Sequence, residues 1–265
     1  MRIPFVQIDA FASVPFTGNP AAVMPLDRWL DDDTLQQIAA ENNLSETAFL
    51  VPDTGDDAEF ELRWFTPTVE VALCGHATLA SGHFVLSSDP DRDRVRFRTR
   101  RAGVLEVVRG GGGYRMALPA YPAEPRPLPA IVAALGLDRA AETLWHPNGY
   151  GLVVLDHAGA VQALDPDFRA LGAEADTLTI VTAPGERTDI VSRVFAAAAG
   201  IDEDPVTGSA HCVLTPYWSR RLGRDGFTAY QASARGGHLG CELAGDRVIL
   251  SGTCVTVIEG AFLLA

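Results

Sequence analysis

The feature that most constrains this chain is a weak internal repeat of about 130 residues. Three pairs of segments keep nearly the same offset: Arg-Trp-Phe at 63–65 with Arg-Val-Phe at 193–195, Gly-His-Ala at 75–77 with Gly-Ser-Ala at 208–210, and the predicted hairpins that contain Tyr114 and Val248. Any one pair could arise by chance. Because all three stay in register, the sequence predicts a duplicated domain.

Each half of the repeat predicts short strands around one helix rich in small residues. Alternating or β-branched patterns predict strands at 6–11, 48–51, 59–65, 95–98, 151–155, 177–182 and 254–258. A helix at 33–41 has a single apolar face. The segments 77–86 and 210–221 carry small residues on nearly all sides, which suits a helix enclosed by a curled sheet.

A proline-rich segment at 119–129 marks the predicted domain boundary. Its alternating prolines fix φ, remove hydrogen-bond donors and favour extended geometry, which is typical of a linker. We therefore predict an N-terminal domain at 1–118 and a C-terminal duplicate at 130–265, with central helices near 77–86 and 210–221.

The charge pattern excludes several classes of function. The 265 residues carry 21 basic and 34 acidic side chains, for a net charge of −13, and every basic one is arginine. Without lysine, the chain cannot form the Schiff base of a pyridoxal-phosphate enzyme or supply the lysine of a phosphate-binding loop. The acidic balance disfavours nucleic acid and anionic membranes as partners. The arginine-rich stretch 92–101 predicts the solvated face of a strand.

Cysteine usage and hydropathy favour a cytoplasmic protein. The four cysteines form no Cys-x-x-Cys pair, which suits a reducing compartment. The N-terminus reaches Asp9 before an apolar core of signal-peptide length develops. No apolar run approaches the roughly 18–20 residues that span a bilayer. We therefore expect no membrane association.

The glycine turns at 70–78 and 204–211 are candidate anion sites. In each turn a glycine opens a helix, whose first amide groups have no intrahelical acceptor. These amides and the helix dipole attract a carboxylate or phosphate. Simple helix capping, for instance by Thr207 or Ser209 in the second turn, explains either turn taken alone. The paired occurrence favours two anion sites that face one another across a cleft.

Three acid–base groups lie in or near these turns: Glu46, His76 and Asp204. A carboxylate held beside a helix N-terminus and apolar neighbours can exchange protons near neutrality. Each group also has an ordinary interpretation: an exposed strand-end glutamate, a histidine beside a helix cap, and a turn-forming aspartate before proline.

Cys74 directly precedes a helix, which stabilises a thiolate, although isolated cysteines are more often buried and inert. The histidines show no ligand spacing, so we predict no metal site.

Five motifs then identify a family. They are Phe-Thr-Gly-Asn-Pro-Ala-Ala-Val at 16–23, Asn-Leu-Ser-Glu-Thr-Ala-Phe at 43–49, Arg-Trp-Phe-Thr-Pro at 63–67 with Glu70, Cys-Gly-His-Ala-Thr at 74–78, and Glu-Asp-Pro-Val-Thr-Gly-Ser-Ala at 203–210. In this order and spacing they resemble the phenazine-biosynthesis F-type isomerases, the PhzF-like family, over essentially the whole chain.

The resemblance implies a diaminopimelate-epimerase-like fold of the α+β class. Two pseudo-symmetric domains each wrap a curled, mostly antiparallel sheet around a central helix, with the active site between them. In such folds the final strand, here about 251–265, can return to the first domain. The resemblance also implies a homodimer that uses no cofactor.

The same resemblance implies roles for particular residues. Glu46 would take a proton from one carbon of a small, cyclic, carboxylate-bearing substrate and return it to another, with His76 and Asp204 as supporting catalytic residues. The residues implied in substrate binding are Asn19, Ser45, Gly75, Gly208 and Ser209. Stabilisation of the carbanion-like state must then supply most of the lowered barrier, because carbon acids have high pKa values.

Two alternatives stay open at this point. Cys74 in its Cys-Gly-His motif also resembles half of a proline-racemase-type site, which would make the protein an amino- or hydroxy-acid racemase or epimerase. The second cysteine of such a site is missing from 204–209, and Cys212 lies one turn further on. The other alternative is a non-catalytic protein that binds a small ligand.

Overall fold

A computed structural model describes residues 1–174 and 176–264 of the chain, which folds as two units. The first unit contains Met1–Ala117 and the segment from Ser251 onward, and the second is Leu118–Leu250. The chain therefore leaves the first unit within one strand and returns to it within another. Among the described residues, no helix is both long and apolar enough to cross a membrane.

The helices and strands follow one another as listed here in chain order. The first stretch contains β1 (Arg2–Ala10), β2 (Asn19–Pro25), α1 (Asp32–Asn42), β3 (Glu46–Pro52), β4 (Phe60–Phe65), β5 (Glu70–Val71), α2 (Gly75–Ser88), β6 (Arg94–Thr99), β7 (Val104–Gly110) and β8 (Gly113–Pro119). The second unit continues with β9 (Glu124–Pro125), α3 (Pro129–Ala134), β10 (Glu142–His146), β11 (Tyr150–Val154), α4 (Ala158–Gln162), α5 (Phe168–Ala173), β12 (Leu178–Pro184), β13 (Ile190–Phe195), a 3₁₀ turn (Ala197–Ala199), α6 (Gly208–Leu222), β14 (Gly226–Gln231), β15 (Gly237–Ala244) and β16 (Arg247–Gly252). The last strand is β17 (Cys254–Leu263).

The two units repeat the same succession of strand pairings. In the first unit β1 pairs antiparallel with β2, β2 parallel with β3, β3 antiparallel with β4, β4 parallel with β6, and β6 antiparallel with β7. The second unit repeats the same alternation of antiparallel and parallel pairings along the strands from β10 to β15. The crossovers also correspond, because α2 connects β4 to β6 and α6 connects β13 to β14. The predicted α+β class with two pseudo-symmetric units is confirmed.

The repeated arginine makes the same contacts in each unit. Arg63 donates through Nε and Nη2 to Glu70, at 2.8 Å each. Arg193 donates to Glu203 in the same way, at 2.7 and 2.9 Å. Each glutamate lies five positions before the glycine that opens α2 or α6. This bidentate pair therefore connects the strand to the turn that begins the helix.

Helix α2 is enclosed by the sheet of the first unit, as its small residues predict. It contacts β1, β2, β3, β6, β7 and β17, and most of its first half is buried. A side chain at Gly82 would meet Val107 of β7, with the new Cβ only 2.4 Å from Cγ1. The close approach of helix and sheet thus requires glycine at this position.

The proline-rich segment differs from the predicted linker. Glu124 and Pro125 form β9, which pairs with β10, and the N–H of Tyr121 donates to the carbonyl of Cys212 at 2.9 Å. Pro129 occupies the start of α3, where the missing N–H of proline costs nothing. The segment is therefore part of the second unit. Conversely, β17 pairs antiparallel with β1 and belongs to the first.

The arginine-rich stretch lies largely on β6. Val95 and Phe97 are buried, and the arginines that alternate with them are partly exposed. Arg96 and Arg98 lie within ion-pair distance of Glu59 and Asp53, at 3.7 and 2.8 Å. The cations of this strand thus face neighbouring carboxylates as well as solvent.

Candidate active site

Glu46 lies at the start of β3, beside the first turn of α2. The strand pairs in parallel with β2, so that Glu46 stands opposite Ala21. Its Oε2 atom is 3.1 Å from Nε2 of His76, and only 16% of its side chain is exposed. The ordinary interpretation, an exposed glutamate at a strand end, is therefore wrong. Ser45 precedes it in the connection from α1 and is partly buried.

His76 occupies the first turn of α2, and its ring lies between groups from three elements. Nε2 faces Glu46, while Nδ1 lies 3.2 Å from Nδ2 of Asn19 and 3.5 Å from Sγ of Cys74. Asn19 is fully buried at the start of β2, opposite Ala10 of β1. The structure therefore brings together three of the predicted site residues, Asn19, Glu46 and His76, and adds Cys74.

The charges of this cluster are coupled. Burial of the His76 ring opposes its charged form, but negative charge on Cys74 and Glu46 outweighs burial and raises the pKa of His76 well above 6.5. Burial raises the pKa of the Cys74 thiol to about 11. The charge on Glu46 acts on both neighbours, because it opposes the thiolate form of Cys74 and favours the imidazolium form of His76.

The N-terminus of α2 has no side-chain cap. Cys74 is the N-cap residue in extended conformation, and its side chain accepts no capping hydrogen bond. The first intrahelical hydrogen bond runs from the N–H of Thr78 to the carbonyl of Cys74, at 3.1 Å. The amides of Gly75 and His76 come before it in the chain and therefore have no intrahelical acceptor. These two amides can therefore bind an anion beside Glu46.

The other glycine turn, in the second unit, is held by Gln231. This side chain, fully buried at the end of β14, accepts from the N–H of Thr207 at 2.8 Å and donates through Nε2 to the carbonyl of Asp204 at 2.7 Å. Nε2 also lies 3.1 Å from Oγ1 of Thr207, and that hydroxyl donates to Oδ2 of Asp204 at 2.5 Å. The network fixes the conformation of the turn that opens α6 at Gly208.

Two further groups lie in the first turns of α6. Nδ1 of the buried His211 lies 2.8 Å from the carbonyl of Thr207, and burial lowers the pKa of His211 to about 4. The ring is therefore neutral and its Nδ1–H donates. Ser209 is partly exposed and hydrogen-bonds the side chain of Tyr150, whose pKa is raised by burial.

Gln231 was missed by sequence reasoning, although a signal for it exists. On β14, Phe227 and Ala229 occupy the buried alternate positions, and Gln231 occupies the next one. An amide at a core-facing position needs internal partners, so it indicates a buried hydrogen-bond network.

The sequence predicted no metal site, but the described residues include one group of side chains that could hold a metal ion. His83, seven positions after His76, lies 3.0 Å from both Tyr114 and Thr256 and takes no part in the cluster. The structure instead brings the side chains of Glu46, Cys74 and His76 together, with one potential ligand atom from each within 4.8 Å of the others. Spacing along the chain could not reveal this group, because Glu46 comes from a different element.

Comparisons with known proteins place the whole chain among similar sequences and structures. The family model described as phenazine biosynthesis-like protein matches residues 8–260. A protein of Pseudomonas aeruginosa named as an uncharacterised isomerase is 48% identical over 262 residues, covering 98% of each chain. One from Halalkalibacterium halodurans with the same description is 40% identical over 272 residues and covers 100% of both. A crystal structure of a PhzF-family protein from Enterococcus faecalis covers 100% of both chains at 42% identity, with a TM-score of 0.91.

Proposed function

This chain belongs to the phenazine biosynthesis-like protein family and is an isomerase, and on that premise we propose that it moves a proton between carbons of a small carboxylate-bearing substrate without a cofactor. Glu46 acts first as the base that removes the proton and then as the acid that returns it. The family supports an isomerase, and the position of the Glu46 side chain supports its assignment as the base.

The observation that carries this proposal is the placement of the Glu46 carboxylate. One oxygen, Oε2, lies 3.1 Å from Nε2 of His76, which holds the group in one orientation. The residual 16% exposure leaves the side chain accessible from solvent. A carboxylate that is oriented, mostly desolvated and still reachable has the properties of a general base.

Binding of the substrate carboxylate is assigned to helix N-termini. The amides of Gly75 and His76 open α2 beside Glu46, and those of Gly208 and Ser209 open α6. Both helix N-termini can bind an anion, because their first amides have no intrahelical acceptor and the helix dipole is positive at this end. We include Asp204 as a further acid–base group, because Thr207 and Gln231 hold its turn in a defined conformation.

Asn19 and Ser45 have indirect parts in this proposal. Asn19 contacts Nδ1 of His76 and so helps to orient the ring that faces Glu46. Ser45 lies directly before Glu46 in the chain and is partly buried. The proposal also includes a homodimer and a cytoplasmic location. Light scattering and cell fractionation test these two points independently of catalysis.

The decisive experiment follows hydrogen exchange at carbon. Candidate carboxylates are incubated with the protein in deuterium oxide, and label is read by proton NMR and mass spectrometry. We expect incorporation with the parent and a decrease of at least about 100-fold in Glu46→Gln. Glu41→Gln is the matched control, since Glu41 is an exposed glutamate on α1. Undiminished labelling by Glu46→Gln would contradict the assignment of the base.

A racemase or epimerase that uses Cys74 is the second candidate. The contact of 3.5 Å between Sγ of Cys74 and Nδ1 of His76 favours it, since a histidine next to a thiol can take up its proton. The raised pKa of Cys74, about 11, weighs against it. The variant Cys74→Ser separates the two, because it should keep most label exchange if Glu46 is the base and lose it if the thiol is.

A further inference from the structure

The side chains of Cys74, His76 and Glu46 place three different ligand types in one small volume. One ligand atom of each lies within 4.8 Å of the others. Sγ of Cys74 and Nδ1 of His76 are 3.5 Å apart. Two ligands of a tetrahedral zinc ion, one sulfur and one nitrogen, are separated by about 3.6 Å when the bond lengths are about 2.3 and 2.0–2.1 Å. The Cys74–His76 pair therefore already has the separation that zinc requires.

The backbone holds this pair in place. Cys74 is the N-cap of α2 and His76 lies in its first turn, so both ligands rise from one short, buried stretch of the chain. Their side chains are 6% and 4% exposed. Glu46 approaches from β3 and is the more exposed of the three. Its carboxylate lies on the Nε2 side of the ring and has to turn toward Nδ1 to reach a metal bound there, while the amide of Asn19, 3.2 Å from Nδ1, has to move away.

The chemistry of the donors selects the metal. Thiolate and imidazole favour zinc over magnesium or calcium, which prefer oxygen ligands. A thiolate and a carboxylate together balance the charge of a divalent cation in a buried site. The net charge of −13 on the chain further favours the approach of a cation.

From these observations we propose that Cys74, His76 and Glu46 form a binding site for a Zn²⁺ ion and that zinc bound there inhibits the enzyme reversibly. On binding, the Cys74 thiol and the His76 imidazolium each release one proton to solvent, sulfur–zinc and nitrogen–zinc bonds form, and no electrons are transferred. Water fills the fourth position. Binding of zinc depends only on the cluster, whereas inhibition rests on the proposed function, because the metal would occupy the carboxylate that acts as the base.

Cobalt provides a direct test of binding that does not depend on activity. Metal-free protein is titrated with Co²⁺, and the absorption of the tetrahedral ion and its thiolate charge-transfer band in the near ultraviolet are recorded. We expect one ion per chain, displaced by Zn²⁺. In Cys74→Ser the charge-transfer band should disappear, and affinity should fall by at least about 100-fold. In Glu46→Gln the band should persist, with affinity weaker by about 10-fold.

Cys254→Ser is the matched control, because Cys254 is the only one of the four thiols that is not buried. It should bind cobalt as the parent does, and circular dichroism checks that every variant is folded. A parent without the charge-transfer band would overturn the proposal. So would a band that survives in Cys74→Ser and disappears in Cys254→Ser, because the metal would then be bound elsewhere.

Inhibition is measured in the deuterium-exchange assay. Stoichiometric Zn²⁺ should abolish label incorporation by the parent, and a chelator should restore it. If one zinc ion binds per chain, as cobalt does, and the rate of label exchange is unchanged or higher, the inhibitory role is overturned. If cobalt binds as expected and no carboxylate ever exchanges label even in metal-free protein, the zinc site stands and the proposed function fails.

Discussion

The Nε2 atom of His76 lies 3.1 Å from the Oε2 atom of Glu46, although the two residues are 30 positions apart and come from a helix and a strand. This contact changes the behaviour of both groups. It orients the carboxylate, and negative charge on Cys74 and on Glu46 raises the pKa of a buried histidine that burial alone would keep neutral. The following predictions test this contact, the corresponding turn of the second unit, and the packing that supports both.

His76 should stabilise the fold more strongly at low pH than at high pH. Its pKa is raised in the folded state, so its contribution is fully present below the unfolded value of about 6.5 and is lost as pH rises through the folded value. The difference in free energy of unfolding between the parent and His76→Asn should therefore be larger at pH 6 than at pH 9. Urea denaturation at both pH values measures it. A difference that grows with pH would mean that the contact is not an ion pair.

His211 should have the opposite pH dependence. Its pKa is lowered to about 4 by burial, so the stability it contributes is present above about pH 6.5 and is lost as pH falls toward 4. A shift of this size corresponds to about 3 kcal/mol at most. The parent should therefore lose about that much more stability than His211→Gln between pH 7 and pH 4, in matched urea titrations. Equal acid sensitivity of the two proteins would count against a buried neutral imidazole.

Gln231 should be needed for the turn that opens α6. Gln231→Leu removes an acceptor from the N–H of Thr207 and a donor from the carbonyl of Asp204, both buried or partly buried. We expect a loss of about 1–3 kcal/mol in the free energy of unfolding. Gln231→Glu keeps the acceptor but loses the donor and adds a charge near Asp204, so it should also be destabilised, and more so at pH 8 than at pH 5. Melting temperatures of the three proteins provide the measurement.

Arg63 should not be replaceable by lysine. Its guanidinium binds Glu70 through two parallel hydrogen bonds while its side chain is almost fully buried. An ammonium group cannot reproduce this fork. Arg63→Lys should therefore lose about 1–3 kcal/mol, measured by chemical denaturation. Arg94→Lys, at an exposed position on β6, is the control and should change stability by less than about 0.5 kcal/mol.

Gly82 and Val107 should be energetically coupled. Gly82→Ala places a methyl group 2.4 Å from the Val107 side chain, and overpacking of this kind costs about 1–3 kcal/mol. In a Val107→Ala background the added methyl group has room, so Gly82→Ala should be much less destabilising there. A double-mutant cycle by urea denaturation gives the coupling. Additive effects would show that helix and sheet do not approach this closely.

The sequence alone determined the class of fold and the family, and it proposed most of the candidate site residues. Short-range patterns carry this information: the alternation that predicts β3 and β4, the small residues of α2, and the glycine that opens each central helix. The repeat predicted a duplication, and the matching strand pairings of the two units agree with it. Five ordered motifs predicted the family. Each of these signals is read from short segments, either alone or by comparing them along the chain.

Only the tertiary structure decided which groups touch. The sequence proposed Glu46 as the base through its motif but gave no partner for it or for Asn19, and it did not single out Gln231. Each acts through contacts between distant elements: Asn19 and His76 are 57 positions apart, and Gln231 and Thr207 are 24 apart. Such contacts arise when parallel strands pair across a helical crossover and a helix packs against them. Their geometry depends on the sum of many packing and hydrogen-bond energies, and no local pattern encodes that sum.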